Sequence, residues 1–405
     1  MPRSTSGTIV VYGLLTAVGF ACGALYGWSH PDAFKLELAE APQRQGSTLA
    51  VESAGDALQA EQLAVLGYVE GLPDEDLARA GVLLHEPAAW QGLNFYNSSS
   101  AAEAFLFDMD GKVVHSWKLN SDPWCHATLL DDGGLVANIR FEGIVRLSRD
   151  SDVLWTWSGV AHHALDVAED GTIYAITGPT ARIPSVHETL DVVDDTIVVL
   201  SKDGEEQSRI SLLQVLQKSP YRALLPAVSH MTKASTALDI LHTNHVEVFD
   251  GRLADRGPLY AKGNLMVSMA HLNAVMILSG ETHEVLWLWG PTNVTYQHHP
   301  SLLDDGSILL FDNGRKRSRV LEVDPLTNQI RWSYTDPDFF TATQGSAQRL
   351  QNGNTLITES NTGHVFEVTR DGEMVWSWAN PDRTDTIRRG IWRMRRVAAD
   401  AQHMD

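Results

Sequence analysis

One short motif returns along most of this chain: an apolar pair, an acidic or amide turn closing on Gly, then a run of β-formers. It reads LLDDGGLVANI at 129–139, VAEDGTIYAIT at 167–177, LLDDGSILLFD at 302–312 and LQNGNTLITES at 350–360, with a degenerate copy, FLFDMDGKVVHSW, at 105–117. Such a turn between two alternating runs predicts a β-hairpin. Three copies lead into a second hairpin with an aromatic last strand, LSRDSDVLWTW, VDPLTNQIRWSY and VTRDGEMVWSW, and the same ending returns as ILSGETHEVLWLW at 277–289. Four strands in about 50 residues is the pattern of a propeller blade. Six such units fit between residues 93 and 398, so the expected fold is all-β, a six-bladed β-propeller. The late run IWRMRRVA (391–398) is expected to pair with the first unit and hide both open edges. The stretch 178–240 is too long for a blade loop and holds the amphipathic run SLLQVLQKSPYRALL, which predicts a lid or side insertion.

The amino end follows other rules. From Thr8 to Trp28 no residue is charged, and 21 residues at about 1.5 Å each span roughly 30 Å as a helix. This predicts one transmembrane pass. Arg3 precedes it and Asp32, Glu37 and Glu40 follow, which places the amino end in the cytoplasm and the rest in the periplasm or outside the cell. A cleaved signal peptide fits less well, given the length and the weak Ala21/Gly23 site, and a lipoprotein signal at Cys22 lacks the Leu expected three positions upstream. Residues 29–50 read as a linker. Within 51–92, ALQAEQLAVLGYVEGL and DEDLARAGVLL carry apolar residues at three- and four-residue intervals, predicting two short juxtamembrane helices. The expected division is thus a tail at 1–7, the membrane helix at 8–28, a linker at 29–50, a helical segment at 51–92, the propeller at 93–398 and a tail at 399–405.

With 31 basic and 51 acidic residues the net charge is −20, and no basic run is present to neutralise phosphates, so nucleic acid is excluded as a partner. Two cysteines, Cys22 and Cys125, supply no disulfide framework and no thiolate metal site. Histidine is the residue in excess: twelve of the sixteen lie between His115 and His299. His126, His163 and the pair His298-His299 each stand seven or eight residues ahead of a repeat Gly, hence on the first strand of their blade. First strands line a propeller's axis, so these side chains are expected to converge on one funnel. The HTNH run at 242–245 is not a chelate by itself, because residues three apart on a strand face opposite ways.

The segments DILHTNHVEVF (239–249), YQHHPSLLDDGSILLFDNGRKRSR (296–319) and GSAQRLQNGNTLITES (345–360) resemble the bacterial arylsulfotransferases, and the resemblance covers most of 90–398. It implies a six-bladed propeller that moves a sulfuryl group from a phenolic sulfate to a phenol through a sulfated histidine, without 3′-phosphoadenosine phosphosulfate and without a cofactor. Matched on the Gln-His pair, the nucleophile would be His298, and the family's two other funnel histidines fall on His163 and His242. Substrate contacts are expected from His271, Asn244, Asn313 and Arg315. The chain departs from the pattern at Ser268-Met269-Ala270, where the family's serine-x-arginine would put a guanidinium at 270. His271, or Arg315 and Arg317 after FDNG, are the cations placed to substitute. Asn244 is followed by His245 where a small hydroxyl is expected, which implies a retuned pocket.

Chemistry supports the same roles. A neutral imidazole is a competent nucleophile near pH 7, and a covalent intermediate splits one difficult transfer into two. The alternative is a non-catalytic, membrane-anchored propeller acting as a ligand-binding or assembly module, which the missing arginine favours. A Cu or Zn site built from imidazoles alone is a third reading, short of the carboxylate or thiolate partners such sites often have. An enzyme requires His298, His163 and His242 on one pocket; a scaffold does not.

Overall fold

The computed structural model describes residues 71–73, 77–225 and 237–398. Six antiparallel blade sheets, five of four strands and one of five, follow one another along the chain. The second is typical: Trp124–Leu129, Leu135–Ile139, Gly143–Leu147 and Val153–Ser158 pair in order. The first strands of successive sheets touch in sequence order, and the last returns to the first, so the sheets close a ring around a central channel. This is a six-bladed β-propeller.

The repeat turn explains the first hairpin of the second, third, fifth and sixth blades. At 130–134 the Gly133 N–H donates to the Leu130 carbonyl (2.9 Å) and Leu130 N–H to the Gly134 carbonyl (2.9 Å). Gly133 sits at φ +77°, a conformation that costs a residue with a Cβ, and the Asp132 carboxylate takes the Gly134 N–H at 3.0 Å. VAEDGT repeats the arrangement around Gly171 at φ +85°. The degenerate copy at 105–117 belongs to another phase. It joins Glu103–Phe107 to Val113–Lys118, the outer two strands of the first blade, and so matches the Trp-bearing hairpins.

The first blade takes its innermost strand from the carboxy-terminal side: Ile391–Val397 pairs with Leu93–Ser98, from Leu93↔Val397 to Ser98↔Ile391. The junction is locked by Arg396, 1% exposed, whose guanidinium meets the Glu367 carboxylate of the sixth blade, Asn94 Oδ1 (2.8 Å) and the Trp90 carbonyl (3.0 Å). Glu367 also accepts from Asn354 Nδ2 (2.7 Å) and the Trp90 N–H (2.9 Å).

Two expectations are corrected. The second predicted helix, 74–84, does not form where it is described: Gly81–His85 is a fifth strand on the outer edge of the sixth blade, paired with Met374–Ala379. That edge offers unpaired backbone groups along its length, and Gly81 at φ +79° interrupts a helix, so tertiary pairing overrides the period. Gly71–Pro73 is likewise a strand, paired with Ile387–Arg389, and the rest of the first predicted helix lies outside the described residues. The stretch 178–240 is not a single insertion. It contains Thr196–Leu200 and Glu206–Ser211, the outer strands of the third blade. The additions flank these strands: a small sheet of Thr180–Arg182, Asp191–Val193 and Ala237–Asp239, and the helix Leu212–Lys218, whose N-cap Ser211 accepts from Gln214. No helix among the described residues is long and apolar enough to cross a membrane, and the apolar segment 8–28 lies outside them.

Candidate functional site

At the amino-terminal ends of the inner strands, His163, His242, Ala270, His271, Tyr296, His298 and Gln344 line one small pocket. The three histidines matched to the family's funnel thus converge, as the enzyme reading requires. Local backbone makes this possible. Pairing slips between Ala161 and Leu165 and between His298 and Ser301, and His163 (φ +52°) and His242 (φ +49°) are left-handed. Non-glycine residues held there cost about 1–3 kcal/mol, a strain that clusters at functional sites.

The ring of His298 is fixed by its partners. Nδ1 lies 2.7 Å from Asn313 Oδ1 and 2.8 Å from the Tyr296 carbonyl, both acceptors, so Nδ1 carries the proton. Asn313 cannot flip, because its Nδ2 donates to the carbonyls of Thr341 (2.9 Å) and Gln344 (2.7 Å). His298 Nε2 therefore holds the lone pair and accepts the Gln344 N–H at 3.2 Å. Burial pushes His298 down to about 4, so the ring is neutral at pH 7.

The neighbouring rings are driven apart in protonation. His163, 4.9 Å from His242 between centroids, is held well below the usual range by burial and by His242. Burial also works against charging His242, but the Asp239 carboxylate, 2.6 Å from its Nδ1, outweighs this and raises it above the ordinary histidine value. Burial likewise opposes ionising Asp239, yet the charge of His242 and the hydrogen bond from it keep that carboxyl low. His271 stacks on His242 at 4.6 Å, donates Nδ1–H to the Asp239 carbonyl (2.8 Å), and is lowered by burial and by His242. An imidazole held low and one held high side by side suit a base and acid pair.

The other expected residues divide. Asn313 is fully buried and positions His298. Asn244 is buried, donates to the Gln297 carbonyl (2.9 Å), and lines a narrow gap behind the pocket with His163, His245 and His298. Arg315 is exposed in the loop after Asn313, away from the pocket lining. Ala270 does line the pocket, so no guanidinium enters from that position. His126 stands on an inner strand as expected but faces the other end of the channel, with His245 and His299. Residues that sequence reasoning missed are Asp239, Tyr296 and Gln344. Only Asp239, three positions before His242, left a signal.

Asp239, His242 and His271 place potential metal-ligating atoms within 4.8 Å of one another. Their Nδ1 atoms are already spent on Asp239, which also accepts the His242 backbone N–H at 2.9 Å. The arrangement is that of a carboxylate orienting a histidine.

A family model described as "Arylsulfotransferase (ASST)" matches residues 126–381. None of the curated proteins matches the chain. Among solved structures it is similar to a protein of unknown function from Bacteroides caccae, at 13% identity over 73% of this chain and 97% of that one, with a TM-score of 0.48. It is also similar to streptogramin B lyase, at 12% identity over 78% and 87% of the two chains (TM-score 0.47), and to Sqt1 of Saccharomyces cerevisiae, at 11% over 79% and 96% (TM-score 0.44).

Proposed function

The chain belongs to the arylsulfotransferase family, and on that premise we propose that it moves a sulfuryl group from a phenolic sulfate ester to a phenol through a sulfated His298. The observation that carries this reading is the anchored Nδ1–H of His298, which leaves Nε2, its lone pair met among the described residues only by the Gln344 N–H, on a pocket lined also by His163 and His242. Nε2 attacks sulfur, the N–S bond forms as the S–O bond to the aryl group breaks, and the phenolate leaves with the electron pair. Protonated His242 supplies the proton. In the second half, the acceptor phenol attacks sulfur as the N–S bond breaks to restore neutral His298; His163 takes the phenol proton and returns it to His242, 4.9 Å away between ring centroids, so both rings regain their starting states.

The sulfuryl oxygens need donors. The Gln344 N–H, already beside Nε2, is one, and the His242 imidazolium takes the part of the guanidinium absent at 270. A single preorganised donor contributes on the order of 3 kcal/mol in such sites, so one well-placed cation offsets the loss. The membrane reading stands beside this: segment 8–28 anchors the chain with the propeller on the periplasmic or outer side. Alkaline carbonate extraction should leave the full chain in the membrane pellet; its release would overturn the anchor.

The direct test is intact mass spectrometry after incubation with p-nitrophenyl sulfate. A gain of one sulfuryl group, about 80 Da, with release of p-nitrophenol is the expected result. No adduct and no phenol across several donors would favour the alternative, a binding or assembly module. The protonation pattern adds a second prediction. Turnover should fall at acid pH as His163 and His298, both lowered, become protonated, and fall on the alkaline side as His242, raised above the ordinary histidine value, loses its proton. His242→Gln should abolish the alkaline limb of the pH profile together with most of the rate, while an unchanged limb would remove His242 from the acid role. Asn313→Ala should lower kcat by roughly 10- to 100-fold with a smaller change in KM, because the Nδ1 proton loses one of its two acceptors.

A further inference from the structure

The channel has a second mouth, at the carboxy-terminal ends of the inner strands, that sulfuryl transfer does not use. It holds a cavity of about 570 Å³, within the range of small-molecule sites. The closing strand Ile391–Val397 puts Arg393 and Arg395 two residues apart, on one face, and both line this cavity. Arg396, on the other face, is consumed by Glu367. Arg393 instead lies with Nη2 3.2 Å from both ring nitrogens of His126, and Arg395 is exposed to the cavity. Asp166 and Glu247 act on Arg393 through space, but no carboxylate among the described residues comes within ion-pair distance of either guanidinium.

Two more imidazoles stand beside them. His245 and His299 lie 4.8 Å apart between ring centroids. His245 is 5% exposed and gives its Nδ1–H to the Pro300 carbonyl, so its Nε2 keeps a lone pair that no group meets. His299 Nδ1 is also without a partner. Buried polar atoms left unpaired are costly in the empty protein and call for a ligand that pairs them. The ligand must therefore bring negative charge for the guanidiniums and a hydroxyl for the open nitrogens. A bare anion would leave the lone pair unmet, a neutral polyol would leave the arginines unmet, and a metal cation would be repelled by both. Glu247, pushed up to about 8 by burial and by Asp166, is a neutral carboxyl at pH 7, and the other acidic residues of the lining already have partners: Glu169 pairs with Lys262, Asp250 with Arg252, Asp166, raised by burial, accepts the Val248 N–H, and Asp170 accepts the Thr172 N–H.

We propose that this mouth is a second, non-catalytic site for a small hydroxylated organic oxyanion, a sugar acid or a sugar sulfate, with its acid group on Arg393 and Arg395 and a hydroxyl donated to Nε2 of His245, beside His299. The site meets the catalytic pocket through the narrow gap at His126, His245, His299 and Arg393.

Calorimetry on the full chain carrying His298→Ala, which removes the covalent route, tests this with D-glucuronate, glucose 6-sulfate, glucose and inorganic sulfate. Saturable binding is expected for glucuronate or glucose 6-sulfate, and which of the two binds identifies the acid group. Glucose and sulfate alone should bind at least tenfold more weakly, and R393Q/R395Q should weaken the bound ligand by at least tenfold. No saturable binding, or an affinity unchanged in the double variant, overturns the proposal. Should that variant fail to fold, Arg395→Gln alone, at an exposed position, must still weaken binding at least threefold. A protein without any sulfuryl adduct would leave this result unaffected.

Discussion

Replacing His298 with alanine is expected to eliminate both the sulfuryl adduct and the release of p-nitrophenol, lowering turnover by about 10⁴-fold or more, as loss of a covalent nucleophile does. The ring is held by hydrogen bonds from its Nδ1 side and contributes little apolar packing, so the variant should melt close to wild type. That combination separates a nucleophile from a framework residue. A His298→Ala protein that still forms the adduct would move the covalent role to another of the pocket histidines. A variant that loses activity and stability together would leave His298 as a structural ring only.

Arg396→Met is expected to destabilise the propeller by about 3–5 kcal/mol, because Glu367 would remain buried with its charge unpaired. The substitution also takes donors from Asn94 and from the Trp90 carbonyl, and the guanidinium from above the Trp376 ring, 4.5 Å from its centroid. Chemical denaturation should show a lower midpoint with an unchanged slope. Removing both charges, Arg396→Met with Glu367→Gln, should recover part of the loss; a double variant no better than the single one would show that packing, not charge, holds the junction.

The sequence exposes the fold through its turns. DDG and NGN mark the hairpins because a left-handed residue and a side-chain acceptor are both needed there, and the Trp-bearing endings mark the outer strands. The 105–117 copy misled because outer hairpins use the same turn chemistry as inner ones, so a turn motif alone does not give the phase. The strand at Gly81–His85 was hidden for another reason: its partner lies almost 300 residues away, and the local apolar spacing suits a helix. At the site, the phase of His163 and His298 is readable from the repeat. The orientation of each ring is not, since a bulge decides which mouth a histidine faces. His298 and His299 are neighbours in sequence and yet serve opposite ends of the channel. Asp239 ends the small-sheet strand Ala237–Asp239 and Gln344 lies in the loop ahead of Ser346–Arg349, both outside the repeat.

The closing strand carries a consequence for biosynthesis. Leu93–Ser98 emerges early, but its inner neighbour Ile391–Val397 is the last strand of the ring to be made, about 300 residues later. At roughly 5–20 residues per second, the first sheet waits on the order of 15–60 s with an apolar edge uncovered. Five sheets can complete as they appear, whereas the ring closes only once its last strand has been released. The nascent protein is therefore open along one seam for most of its synthesis, and protection of that seam falls to whatever receives the chain as it emerges.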